Sequence, residues 1–123
     1  MSDSDEKAVR FSAEQRLKRS RDFGRVRIEG RTTRGRLLML GVLQPETEKA
    51  FRLGFVTSRR VGGAVVRNRV RRRLREIARR YQHELVAPLW LVVIARPAAA
   101  TATSAQLEEE WLRLGRRASI LRP

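Results

Sequence analysis

The chain runs to 123 residues with a formal net charge of +15, no cysteine, 41% hydrophobic and 6% aromatic residues. That length supports one domain with a modest core built mainly from Leu, Val and Ile, and the missing cysteines exclude a disulfide framework and thiolate metal sites. The longest apolar run, Leu89–Ala95, is too short to span a bilayer, and the acidic opening MSDSDEKAVR is no secretion signal, so the expectation is a cytoplasmic protein whose charge suits nucleic acid.

Residues 1–13 are polar and acidic with little to bury, and are expected to form a mobile tail ahead of a single domain over 14–123. Ser20 is the expected N-cap of a short helix with Asp22 in its first turn, Phe23 and Val26 on one face and Gly30 as its stop. Gly24 inside that helix is a cost. Residues 31–34 allow a further short strand. Residues 36–43 (RLLMLGVL) form an apolar run suited to a strand. After a polar connection at 44–49 (QPETEK), Phe51, Leu53 and Phe55 alternate with Arg52 and Gly54, the period of another strand. The two longer strands are expected to pair as an antiparallel hairpin with one face on the core.

The next segment, residues 59–80, reads RRVGGAVVRNRVRRRLREIARR. It holds ten arginines and one acid, Glu76, a local charge of +9. Val66, Val70, Leu74, Ile77 and Tyr81 recur at helical spacing and, with Ala78, cover an arc of about 120°. The segment is read as one rod, with Gly62 and Gly63 permitting a tight turn into it and its end near Gln82. Arg67, Arg71, Arg75 and Arg79 follow one another at i,i+4, where like charges cost a helix about 0.2–0.5 kcal/mol a pair. A rod that gains nothing from this pattern alone is suited to docking on phosphates. Because 25 of the 28 basic residues are Arg, the position of the charge carries more meaning than arginine identity.

Leu89–Ala95 (LWLVVIA) is apolar on both faces, hence a central strand, stopped by Arg96 and Pro97. Residues 98–102 are expected as a loop. Thr103 and Gln106 form a capping box for a last helix with Leu107, Trp111 and Leu114 as its buried stripe. Glu108, Glu109 and Glu110 are assigned to its first turn, and Arg113, Arg116 and Arg117 to its last turns. Trp90 and Trp111 are assigned to the core, and the single histidine, His83, to the surface. No triad, zinc motif or phosphate loop is present. The fold class is α+β, one sheet packed with helices in the order αββ(β)αβα.

Residues 58–76, SRRVGGAVVRNRVRRRLRE, resemble the arginine signature of the protein subunit of bacterial ribonuclease P. The resemblance reaches upstream to Arg16, Leu17, Asp22, Phe23 and Gly30, and downstream to residues 92–96 (VVIAR), covering about residues 15–118. It implies an α-β sandwich with a left-handed βαβ crossover, against the usual hand. It also implies a role as accessory subunit, one protein per RNA, in a holoenzyme that removes the 5′ leader of precursor tRNA. Catalysis would then be carried by the RNA subunit with Mg²⁺ bound to that RNA, and no catalytic or metal-binding residue is expected in this chain. By position, Arg67, Asn68, Arg69, Arg72 and Arg75 correspond to the family's contacts to the catalytic RNA. Phe23, Arg27, Arg59, Arg60 and Arg71 correspond to positions along the leader cleft, where stacking and backbone charge supply affinity. Arg27 and Gly41 stand where the family commonly has aromatics. The competing reading is a small ribosomal-type RNA-binding protein. A DNA-binding helix-turn-helix lacks its companion helix, and a membrane-surface helix lacks bulky apolar residues.

Overall fold

The computed structural model describes residues 20–45, 51–86 and 88–122. The expected tail at 1–13, the matches at Arg16 and Leu17, and most of the 44–49 connection lie outside the described residues. Helix α1 (Ser20–Glu29) is followed by strands β1 (Arg31–Arg34), β2 (Leu38–Leu43) and β3 (Arg52–Thr57). The arginine helix α2 (Ala64–Tyr81), strand β4 (Trp90–Ala95) and helix α3 (Ser104–Arg117) complete the order. The class and order are those read from the sequence, with the short strand at 31–34 formed. Ser20 is itself helical and so stands inside α1, not ahead of it as its cap.

The four strands lie in the order β1-β2-β4-β3. β4 pairs antiparallel with β2 and parallel with β3. The expected hairpin between the second and third strands is therefore corrected: β4 lies between them, and β2 makes its hairpin with β1. The reason is burial. Five of the six β4 side chains are buried, as in a strand covered on both faces, here by α1 on one side and by α2 and α3 on the other.

Alternation along β4 divides two cores. Leu91, Val93 and Ala95 join Leu38, Leu40, Val42 and Leu53 in the large core beneath α2 and α3. On the opposite face, Trp90, Val92 and Ile94 meet Val26 and Phe23 of α1. α2 contributes Val70, Leu74, Ile77 and Ala78 to the large core, with Val66 and Tyr81 at its margin, the stripe that the spacing marked. At roughly 25 cal/mol per Å² this apolar burial is the main force holding the helix down, because its like-charged surface opposes helix formation.

The rod is shorter than 59–80. Residues 58–62 form turns, with Val61 N–H donating to Ser58 O at 3.0 Å and Gly62 N–H to Arg59 O at 3.2 Å. Gly62 has φ +153°, a conformation side chains rarely adopt, and it turns the chain into the helix. Gly63 is the N-cap. At 97–101 a short 3₁₀ helix replaces the expected loop. In α3 the capping box forms as read, with Gln106 N–H donating to Thr103 Oγ1 at 3.1 Å and Thr103 N–H to Gln106 Oε1 at 2.9 Å. Glu108–Glu110 fall beyond its first turn, which carries no acid. Among the described residues no helix is long and apolar enough to cross a membrane.

Candidate nucleic-acid interface

The two flanks of α2 beside the buried stripe have different neighbours. On one, the Arg71 guanidinium donates to Thr57 Oγ1 at the end of β3 (2.6 Å) and to Asn68 Oδ1 (3.3 Å). On the other, Arg69 donates to Ala100 O (3.0 Å) and Arg73 to Ala102 O (3.1 Å). These two cations sit at the C-terminal carbonyls of the 3₁₀ helix, where positive charge is favourable. Further along, Arg80 and Tyr81 both donate to the Glu108 carboxylate of α3. Those bonds, Tyr81 first and Arg80 second, hold the Glu108 carboxyl below its usual range, and the same bond raises the Tyr81 hydroxyl.

Asn68, Arg72 and Arg75 of the sequence-derived RNA set are exposed, and Arg67 beside them is half-buried. Arg69 closes the far side of that arc, about 60° round the helix from Arg72, with one donor on the 3₁₀ carbonyl of Ala100. A guanidinium carries five donors, so that one bond leaves others able to reach a phosphate.

The second feature is a groove of about 480 Å³ between α1 and the open face of the sheet. Phe23, Gly24, Val26 and Arg27 form its helical wall. Its floor is Thr32, Arg34, Met39, Gly41, Val56, Val92 and Ile94, successive rows across all four strands in the observed register. Phe23 and Arg27 of the sequence-derived leader set both line it. Arg59 and Arg60 are exposed in the turn after β3, and Arg71 is bound to Thr57, which alternation puts on the α2 face of that strand, so none of these three lines the groove. Gly41 has a steric cause: a Cβ there would come within 3.0 Å of Val26 Cγ1. An aromatic at 41 would have to displace the Val26 side chain.

Sequence reasoning missed Arg34, Met39, Val56 and Ile94, although two-residue alternation places all four on the α1 side. It also missed Glu110. This carboxylate is 3% exposed and accepts from the backbone N–H groups of Arg36, Leu37 and Leu38 and from Arg113. It closes the β1–β2 turn onto α3. Its signal was present, since Glu110 occupies the fourth place in the Leu107, Trp111, Leu114 stripe. Trp90 and Trp111 are core residues, 4% and 1% exposed, with the Arg25 guanidinium 5.3 Å from the Trp90 ring centre. His83 is exposed.

Fold and surfaces define a small, strongly basic α+β domain with arginines turned outward on one helix and a mixed apolar and cationic groove across the sheet. A model of the ribonuclease P family matches residues 11–119, and the chain belongs to the ribonuclease P protein family. It is 45% identical over 100 residues to the ribonuclease P protein component of Acidothermus cellulolyticus, spanning 80% of this chain and 83% of that one. With the Roseiflexus castenholzii protein component it shares 44% over 108 residues, 86% and 87% of the two chains. The solved Staphylococcus aureus RNase P protein superposes with a TM-score of 0.81 at 27% identity, covering 88% of this chain and 98% of that one. The Thermotoga maritima RNase P protein gives 0.74 at 28% identity, covering 83% and 96%.

Proposed function

We propose that the chain is the accessory subunit of a cytoplasmic ribonuclease P holoenzyme, one protein bound to one catalytic RNA. It grips that RNA through Arg67, Asn68, Arg69, Arg72 and Arg75. It holds the single-stranded 5′ leader of precursor tRNA along Phe23, Arg27, Arg59, Arg60 and Arg71, so that the leader is cut away to give the mature 5′ end. The RNA performs the cleavage with Mg²⁺ that it binds itself. Among the described residues no three His, Cys, Asp or Glu side chains gather to offer a metal site.

The observation that carries this reading is the outward arginine face of α2, on a chain whose family is fixed. Arg71 supports it by tying Asn68, a member of the proposed RNA-binding set, to Thr57 at the end of β3. In the groove, Phe23 supplies a stacking ring. Arg27 and Arg34 supply charge where aromatics at 27 and 41 are lacking, so leader affinity here rests more on phosphate contact than on stacking.

The test is reconstitution with the cognate RNA and a labelled precursor at low Mg²⁺. Adding the protein raises cleavage, and the protein alone leaves the precursor intact. Arg72→Ala removes an exposed arginine and makes the dependence of log affinity for the RNA on log salt shallower by about 0.7–0.9, one phosphate contact. Cleavage by RNA-free protein would falsify the assignment. Tight RNA binding with no effect on cleavage would favour a ribosomal-type role.

A further inference from the structure

A second concentration of arginine lies at the edge of the sheet farthest from β3, on which α2 packs. It is organised by the turn between β1 and β2. Arg117 of α3 donates to Arg34 O at 3.4 Å, and Arg96 donates to Gly35 O at 2.8 Å. Arg113 pairs with Glu110, whose carboxylate also takes the Arg36 N–H. Two guanidinium groups therefore bond the backbone of the turn directly, and a third reaches it through the Glu110 carboxylate; two of the three turn residues are themselves arginines. Arg116 lies on the same flank of α3 as Arg113 and Arg117. All of these arginines are exposed. The acids nearby are Glu110, buried and already saturated with donors, and Glu109 at the rim with Arg36 and Arg113. The side chains of Arg34, Arg36 and Arg116 have no hydrogen-bond or ion-pair partner among the described residues.

Anchoring the turn explains one donor on each of Arg96 and Arg117. It does not explain Arg34, Arg36 and Arg116, whose like charges repel one another and which no carboxylate pairs among the described residues. The position of Arg34 gives the patch a direction. Its side chain lines the groove while its carbonyl holds Arg117, so the groove's floor at β1 runs straight into the arginine cluster. A strand lying in the groove and leaving across β1 meets that charge next.

We propose that Arg34, Arg36, Arg113, Arg116 and Arg117 form a second phosphate-binding surface, which takes the part of the leader that extends beyond the groove. This rests on the groove being the leader site. It predicts that leader affinity grows with leader length in two stages, first as the groove fills and then as the backbone reaches the patch.

The experiment measures precursor affinity of the reconstituted holoenzyme with leaders lengthened one nucleotide at a time, in wild type and in Arg36→Gln/Arg116→Gln. These two side chains make no bond among the described residues and sit among like charges, so the thermal midpoint of the variant does not fall below that of wild type. The expected result is an unchanged first stage, a lost second stage, and a salt slope on long leaders shallower by about 1.4, two single-strand phosphate contacts. An equal loss at every leader length overturns the proposal. So does weaker binding to the RNA subunit with no precursor present, which gives the patch to that RNA, and so does no loss at any length. Phe23→Ala is the separate check on the groove: it weakens binding at short and long lengths alike, and if it is silent the groove assignment fails whatever the patch does.

Discussion

Glu110 shows how much one side chain can organise. Three consecutive backbone N–H groups of the β1–β2 turn point at a carboxylate that is itself almost fully buried. Removing it leaves those donors without an acceptor, at about 1–3 kcal/mol for each that stays buried. Glu110→Ala is therefore expected to lower the unfolding free energy by about 2–4 kcal/mol in urea titration, and a loss under 1 kcal/mol would show that water replaces the carboxylate. Glu108 makes a subtler case at α2's end. Its folded-state pKa is lowered, so the stability it contributes is present above the ordinary carboxylate range and is lost as pH falls through the lowered value. Tyr81→Phe removes the larger cause of that shift. The stability gap between wild type and Tyr81→Phe should therefore be widest near neutrality and narrow as the pH drops below the usual carboxylate range. Parallel denaturation curves across that range decide it; a gap independent of pH would refute the coupling.

At the scale of elements, α1 carries a defect that a single methyl repairs. Gly24 lies inside the helix, and a Cβ there meets nothing within 4 Å. Gly24→Ala should thus raise stability by about 0.5–1 kcal/mol, read as a higher thermal midpoint. A fall would mean that the methyl strains the groove wall. The elements themselves were legible because their signals are local. The apolar spacing of α2, the capping box of α3 and the two-sided apolarity of β4 each follow from neighbouring residues. What was illegible is non-local. Nothing in residues 36–57 reveals that a strand nearly forty residues later inserts between β2 and β3; only the competition for the sheet's interior decides it. The arginine motif behaves in the same way. Spacing gives the angular position of Arg69, but the 3₁₀ carbonyl that receives it belongs to a segment 31 residues away. The groove was half visible, since Phe23 and Arg27 come from one helix turn, whereas Arg34, Met39 and Val56 join them only through strand register.

For the whole molecule, the charge that suits RNA works against the free fold. A formal +15 on 123 residues repels itself across one small domain, and the i,i+4 arginines of α2 repel one another along its exposed side. Among the described residues acids offset part of this, as Glu108 does against Arg80 and Glu110 against Arg113. Salt must therefore act in opposite senses on the two properties. It screens self-repulsion in the free protein and releases counterions less favourably on RNA binding. Raising the salt should lift the thermal midpoint of the isolated protein while lowering its affinity for the RNA subunit. The RNA in turn should stabilise the protein by mass action, by about 2.7 kcal/mol when free RNA is a hundredfold above its dissociation constant. That gain should shrink as salt rises, because affinity falls faster than screening helps. Melting the free protein and the complex over one salt series tests both halves. If the two midpoints rise together, the arginine face of α2 is not what binds the RNA.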